Sequence, residues 1–163
     1  MSEPPLRLRE LIDRLVSGEV SFVLVGGLAV NAWGYVRGTQ DVDIVPDPSP
    51  ANLERLAAVL DALKARVEIS GELLSGDSVR TFLRAGDRTL ATTELGAVDV
   101  LQGIAQVPPF AELDHHARSV ELGETTVRVC SLEHLIAMKQ ASSRPRDIDD
   151  LEALVALRDR DGD

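Results

Sequence analysis

The sequence predicts an α/β fold: a small mixed β-sheet of roughly four or five strands with flanking helices, within one domain over residues 1–163. Three observations predict it. Short runs rich in β-branched residues lie at residues 21–25, 41–45, 89–93 and 96–101, bounded by Gly, Pro or Asp. Apolar residues recur at helical spacing in residues 6–16, 51–65 and 147–157. The two kinds of segment alternate along the chain rather than forming separate blocks.

In chain order, Leu8, Leu11, Ile12 and Leu15 share one face of a first helix, which Gly18 ends. Ser21 to Val25 reads as a strand and Leu28 to Tyr35 as a short helix. Asp41 to Val45 is the second strand, followed by the rigid turn Pro46-Asp47-Pro48-Ser49-Pro50. Ser49 caps a helix from Ala51 to about Ala65, with Leu53, Leu56, Ala57, Leu60 and Leu63 on one face. Residues 66–74 are ambiguous, because Val67 and Ile69 alternate but Gly71 intervenes; residues 79–83 fit a short helix or a strand. Ala85-Gly86-Asp87-Arg88 reads as a turn, and Thr89 to Thr93 and Gly96 to Leu101 as strands. Pro108-Pro109 breaks the chain before a helix from Phe110 to Ala117. Gly123-Glu124 joins Val120 to Leu122 and Thr125 to Val129 into a hairpin. Ser131 caps a helix reaching about Ala141. Asp147 opens a last helix whose Ile148, Leu151, Leu154, Val155 and Leu157 are spaced to pack inward, and residues 158–163 are expected to fray.

Composition narrows the function. The hydrophobic fraction of 44% is that of an ordinary globular chain, and with 3% aromatics the core must be aliphatic. No run approaches the roughly 18 apolar residues of a membrane span. The start of the chain lacks the basic and apolar regions of a signal peptide, and the single Cys130 has no internal disulfide partner, so the expected compartment is the cytoplasm. A net charge of −10 argues against nucleic-acid binding through the general field; an RNA acceptor would need a local basic patch. His115-His116 has no partner at metal-ligand spacing, which argues against zinc. Only two of the 17 basic residues are lysines, Lys64 and Lys139.

The informative stretch runs from Val23 to Val45. Alternation along the second strand points Asp41 and Asp43 one way and Val42 and Ile44 the other. Two carboxylates on one face repel unless a cation lies between them, and hard divalent cations take carboxylate oxygens. Gly26-Gly27 ends the first strand and opens the helix, where a backbone freed of side chains can approach phosphate oxygens. Taken singly, the glycine pair is also a plain turn and the Asp-x-Asp a solvated strand end. Together they suggest a metal–nucleotide site.

Gly26-Gly27, a short helix and Arg37-Gly38-Thr39-Gln40-Asp41-Val42-Asp43 resemble the signature of the polymerase-β-like nucleotidyltransferase superfamily, in which a Gly-Gly or Gly-Ser pair precedes Asp-x-Asp or Asp-x-Glu. The minimal members most similar are the abortive-infection toxin type (AbiEii-like) and small antibiotic nucleotidyltransferases. The resemblance runs from Phe22 to Leu157. It implies the polymerase-β-like nucleotidyltransferase fold, with a third carboxylate on a later strand beside the first pair. Ala97-Val98-Asp99-Val100-Leu101 matches that element, so Asp41, Asp43 and Asp99 are the expected catalytic and metal-binding residues. The implied cofactor is Mg2+, as two ions that Mn2+ would replace. Three unpaired carboxylates are then expected to repel one another without metal.

The resemblance further implies nucleotide contacts from Gly26, Gly27, Arg37, Thr39, Lys139 and Arg146. Lys139, Arg146, Asp147, Asp150 and Leu151 match a helical Lys followed by a basic loop and an acidic helix start. Lys139 is also readable as a surface lysine with a buried stem, and Asp147 and Asp150 as acids at a helix N-terminus. The supporting role expected of Asp147 and Asp150 is to hold Lys139 or Arg146. The implied activity is metal-dependent transfer of a nucleoside monophosphate from an NTP to an acceptor hydroxyl on RNA such as tRNA, on protein or on a small molecule. A small antitoxin is the implied partner for a toxin; a non-catalytic binding or antitoxin module is the rival class.

Overall fold

The computed structural model describes residues 6–34, 38–142 and 144–161. Helix α1 (Leu6–Ser17) precedes strand β1 (Phe22–Val25), helix α2 (Gly26–Ala32) and strand β2 (Asp41–Pro46). Helix α3 (Pro50–Ala62), strands β3 (Val67–Ile69) and β4 (Glu72–Leu74) and helix α4 (Asp77–Ala85) follow. Strands β5 (Thr89–Thr93) and β6 (Gly96–Val100), helix α5 (Phe110–His116) and strands β7 (Arg118–Leu122) and β8 (Thr125–Val129) complete the sheet. Helices α6 (Leu132–Gln140) and α7 (Pro145–Asp161) end the chain.

Among the described residues the main sheet has six strands in the order β5-β6-β2-β1-β8-β7, one more than the expected upper count. It is mixed, as expected. β1 and β2 are antiparallel, β6 lies parallel to β2, and β8 lies parallel to β1. Antiparallel hairpins, β5–β6 and β7–β8, form its two flanks. The ambiguous residues 66–74 form the separate ribbon β3–β4, and residues 79–83 fall within α4.

The helical spacings hold. Leu8, Leu11, Ile12 and Leu15 are buried against the sheet, and α1 packs on β2, β6 and β8. Ser49 accepts a hydrogen bond from the Asn52 N–H, and Ser131 one from the His134 N–H, so both expected caps form. Asn52 does more than the sequence suggests. Fully buried, its amide takes the Ser21 N–H at 2.7 Å and donates to the Ser21 and Asp47 carbonyls at 2.9 and 2.8 Å, fastening the turn after β2.

Three expectations are corrected. Helix α2 starts at Gly26 rather than Leu28, because Val25 is its N-cap. Helix α7 starts at Pro145, whose fixed φ suits a first turn, and continues through residues expected to fray as far as Asp161. Ile148 is 56% exposed instead of packing inward; the inward positions are taken by Leu154 and, partly, Leu151 and Val155. No helix among the described residues is long and apolar enough to cross a membrane.

Candidate active site

The parallel pairing of β2 with β6 sets Asp43 directly across from Asp99, with Asp41 opposite Ala97. Val42, Ile44, Val98 and Val100 point to the other face and are fully buried there. Alternation therefore places all three predicted carboxylates on one face of the two central strands. Asp41 is exposed, Asp43 is half-buried and Asp99 is buried.

Val25 pairs with Asp43 across the β1–β2 ladder, so the chain turns into α2 directly beside that carboxylate. Gly26 takes a φ of +67°, and a Cβ placed on it would stand 1.9 Å from Asp43 Oδ2. Both facts require glycine. Val25 supplies no side-chain cap to α2, and Gly26 and Gly27 line the same cleft as the carboxylates. At the far end of α2, the Trp33 indole N–H donates to the Cys130 carbonyl at 3.0 Å while the Arg118 guanidinium stacks on the ring, tying the helix to the end of β8.

Burial, then the charges of Asp99 and Asp41, push the Asp43 carboxyl up to about 6; Lys139 and Arg144 pull the other way. A carboxylate whose charge is this disfavoured, with two others on its face, is a donor set suited to a hard divalent cation. The expected repulsion is nevertheless incomplete, because Asp99 is not unpaired. Arg88, immediately before β5, grips it with a fork: Nε donates to Oδ1 at 3.0 Å and Nη2 to Oδ2 at 2.6 Å. Among the described residues no three carboxylate, imidazole or thiolate groups are drawn together as a ready metal cage, and Arg88 holds both oxygens of the third aspartate. The set fits a cation by its chemistry, with Arg88 displaced or sharing Asp99.

The second predicted cluster is buried. Lys139 is 8% exposed, with Nζ 2.8 Å from Asp147 Oδ1 and 3.0 Å from Asp150 Oδ2. Asp147 also takes the Ser142 hydroxyl and, at 2.9 Å, Arg144 Nε. Burial alone would raise the Asp147 carboxyl, but the bonds from Lys139, Ser142 and Arg144 outweigh it and hold the group well below the usual range. The reading of Lys139 as a surface lysine is thus overturned; Asp147 does lie in the first turn of α7, and both it and Asp150 are in addition ion-paired with Lys139. The three form one ion-paired unit, with Lys139 and Asp147 on the cleft wall.

Thr39 also lines the cleft, its hydroxyl 3.4 Å from the Asp41 carbonyl oxygen. Arg37 lies outside the described residues, as does the side chain of Arg146. The sequence reading missed Arg88 and Arg144. Arg88 stood in a predicted turn, and only strand pairing brings it to Asp99. Arg144 stood in a recognised basic loop beside the predicted Arg146. Burial pushes the Cys130 thiol far up, which leaves it unsuited to act as a nucleophile.

A Gly-Gly turn set against an Asp-x-Asp strand, with a third aspartate on the parallel neighbour, is the arrangement that the resemblance to polymerase-β-like nucleotidyltransferases implied. The sequence model of the family described as "Nucleotidyl transferase AbiEii toxin, Type IV TA system" matches residues 10–163, and the chain belongs to that family. None of the curated proteins compared matches it by sequence. Among solved structures, the lincomycin-bound lincosamide antibiotic adenylyltransferase LnuA superposes with a TM-score of 0.66 at 15% identity, covering 96% of this chain and 99% of that one. ANT(2″)-Ia, in complex with adenylyl-2″-tobramycin, gives 0.55 at 17% identity over 94% and 95%. A putative nucleotidyltransferase from Thermotoga maritima gives 0.52 at 18% identity over 93% and 88%. These likenesses establish the fold.

Proposed function

We propose that this chain, acting as one domain over residues 1–163 in the cytoplasm, transfers a nucleoside monophosphate from an NTP to an acceptor hydroxyl with Mg2+ or Mn2+. The observation that carries the reading is the Asp43–Asp99 cross-strand pair, with Asp41 on the same face and Gly26 against Asp43. Bound divalent cations would lower the acceptor hydroxyl's pKa and neutralise charge developing on pyrophosphate. Asp41 and Asp43 would hold them, with Asp99 joining on the acceptor side.

The chain's own groups divide the remaining work. Gly26 and Gly27 keep the wall free of side chains where phosphate oxygens would lie, with Thr39 on the adjoining wall. Lys139 and Arg144 offset the negative charge around Asp43. Arg37 and Arg146 would add positive charge to the nucleotide side. Asp147 and Asp150 orient Lys139. Asp99 accepts the acceptor's proton.

The family's description favours the toxin half of a toxin–antitoxin pair, with RNA or protein as acceptor and a small antitoxin as partner. The antibiotic adenylyltransferases of matching length favour a small-molecule acceptor. A non-catalytic module would not need the aspartate triad. Titration calorimetry with MnCl2 and a non-hydrolysable ATP analogue tests the site. Binding that is lost in the Asp41→Asn,Asp43→Asn variant is the expected result; equal binding by both proteins would sink the reading.

A further inference from the structure

The cleft has two unlike ends. On the α6–α7 side lie Lys139 and Arg144. On the β5 edge, Leu90 pairs directly with Asp99, so the two share a face, and Leu90 is 48% exposed there. Leu101, two residues beyond Asp99 and hence on the same face, continues that surface, and Ile104 and Val107 line the same cleft from the segment after β6. The sequence thus sets aliphatic side chains beside a buried carboxylate at the rim of a site otherwise built of charges.

From this we infer that the acceptor enters over the β5 edge and is a neutral, hydroxyl-bearing small molecule with an aliphatic face, seated on Leu90, Leu101, Ile104 and Val107. The inference rests on the nucleotidyl-transfer reading above and adds the substrate class. The open cleft measures about 1150 Å³. A pocket for one drug-sized ligand measures roughly 300–1,000 Å³, so this cleft is above that range and has room for a small acceptor beside a nucleotide. A polyanionic acceptor is disfavoured on this rim. The described cations of the cleft, Arg88, Lys139 and Arg144, are each held by a carboxylate. Asp41, Asp43, Asp99 and Asp147 line the same space. RNA binding draws its affinity from basic groups that neutralise phosphates, whereas burying an alkyl surface against Leu90 needs no counter-charge.

In the transfer, the acceptor hydroxyl oxygen bonds to the α-phosphorus. The bond from that phosphorus to the bridging oxygen breaks, pyrophosphate leaves with the electron pair, and the hydroxyl proton passes to Asp99 and then to water.

The test uses the full chain with Mg2+ and three probes: octyl β-D-glucopyranoside below its micellar concentration, methyl β-D-glucopyranoside, and a tRNA pool. Calorimetry with the non-hydrolysable ATP analogue reports the nucleotide site. Saturation-transfer NMR reports contact with the octyl chain, and labelled ATP reports transfer. Wild type is expected to bind the analogue, to pass saturation to the octyl protons, and to prefer the octyl over the methyl glucoside by about tenfold, the gain from burying roughly two methylene groups. The Leu90→Thr,Ile104→Thr variant is expected to keep analogue affinity and lose both the saturation transfer and the preference. Analogue binding without saturation of the octyl chain, or label passing to tRNA, overturns the acceptor assignment alone. A wild-type dimer that Leu90→Thr dissociates, with no octyl contact, gives Leu90 to a self-interface and also overturns it. Failure of wild type to bind the analogue overturns the nucleotidyl-transfer reading itself.

Discussion

Gly26 lies directly against the carboxylate of Asp43: a Cβ on the glycine would sit 1.9 Å from Oδ2, and its φ of +67° is one that side chains resist. The backbone of the β1–α2 turn thus fixes where a central carboxylate of the site points. Gly26→Ala should cost about 1–2 kcal/mol for the left-handed backbone and about 1–3 kcal/mol more for the overlap. Urea unfolding measures the sum. In an Asp43→Ala background the overlaps with Oδ2 and Cγ disappear while that with the Cβ, at 2.8 Å, remains, so the penalty should shrink towards the backbone part without reaching it. A penalty of equal size in both backgrounds would show that the two residues do not compete for this space.

Arg88 and Asp99 supply the second prediction, and its sign is opposite to that of an unpaired triad. If Asp99 only repelled Asp43, then Asp99→Asn would raise the melting temperature without metal. The fork from Arg88 gives the buried carboxylate a partner on both oxygens. Weakening it should cost about 1.5–3 kcal/mol, the range for hydrogen bonds to charged groups, so Asp99→Asn should lower the melting temperature instead. Arg88→Ala should also destabilise, while tightening Mn2+ binding, because the competing cation is gone. Melts and Mn2+ titrations on both variants decide this; a more stable Asp99→Asn protein would return the site to uncompensated repulsion.

What was legible in the sequence was set by local periodicity. Alternation in β2 identified the shared face of Asp41 and Asp43, and Ser49 and Ser131 announced their caps. The actual juxtaposition of Asp43 and Asp99 depends on which strands pair, and resemblance to a known signature, rather than periodicity, supplied that expectation. Arg88 escaped notice because its partner is eleven residues away across a hairpin. The burial of Lys139 was not legible, because the residues that cover it, Asp147 and Asp150, belong to the next helix; that these acids would hold it was an expectation from the resemblance, with no local sign of it in the apolar helix. Asn52 was invisible for the same reason: its value lies in carbonyls brought back by the fold.

The Lys139–Asp147–Asp150 unit gives the last prediction. A solvent-facing lysine would tolerate truncation, but Lys139 is 8% exposed and its two partners are 1% and 0% exposed. Lys139→Ala leaves both carboxylates buried without their central cation, which should cost about 3–5 kcal/mol. Arg144 still touches Asp147 and moderates that loss. Lys139→Ala therefore weakens folding and nucleotide use together, and the two are separated by assaying at a temperature where the variant remains folded. The same unit sets an acid limb. The Asp147 carboxyl in the fold lies below its ordinary value of 3.8, so it contributes stability above that value and loses it progressively as pH falls below. The Asp43 carboxyl, pushed up to about 6, works the other way and adds stability as pH falls from 6 towards 3.8. The Asp147 contribution is therefore read as the difference in urea midpoint between wild type and Asp147→Asn, measured from pH 6 down to pH 3. The variant starts lower because its bond to Lys139 is no longer charge-to-charge, and the gap should narrow as pH falls below 3.8. If the two proteins lose stability in parallel over that range, Asp147 is not a source of the acid limb, and the burial of Lys139 must be compensated through Asp150 alone.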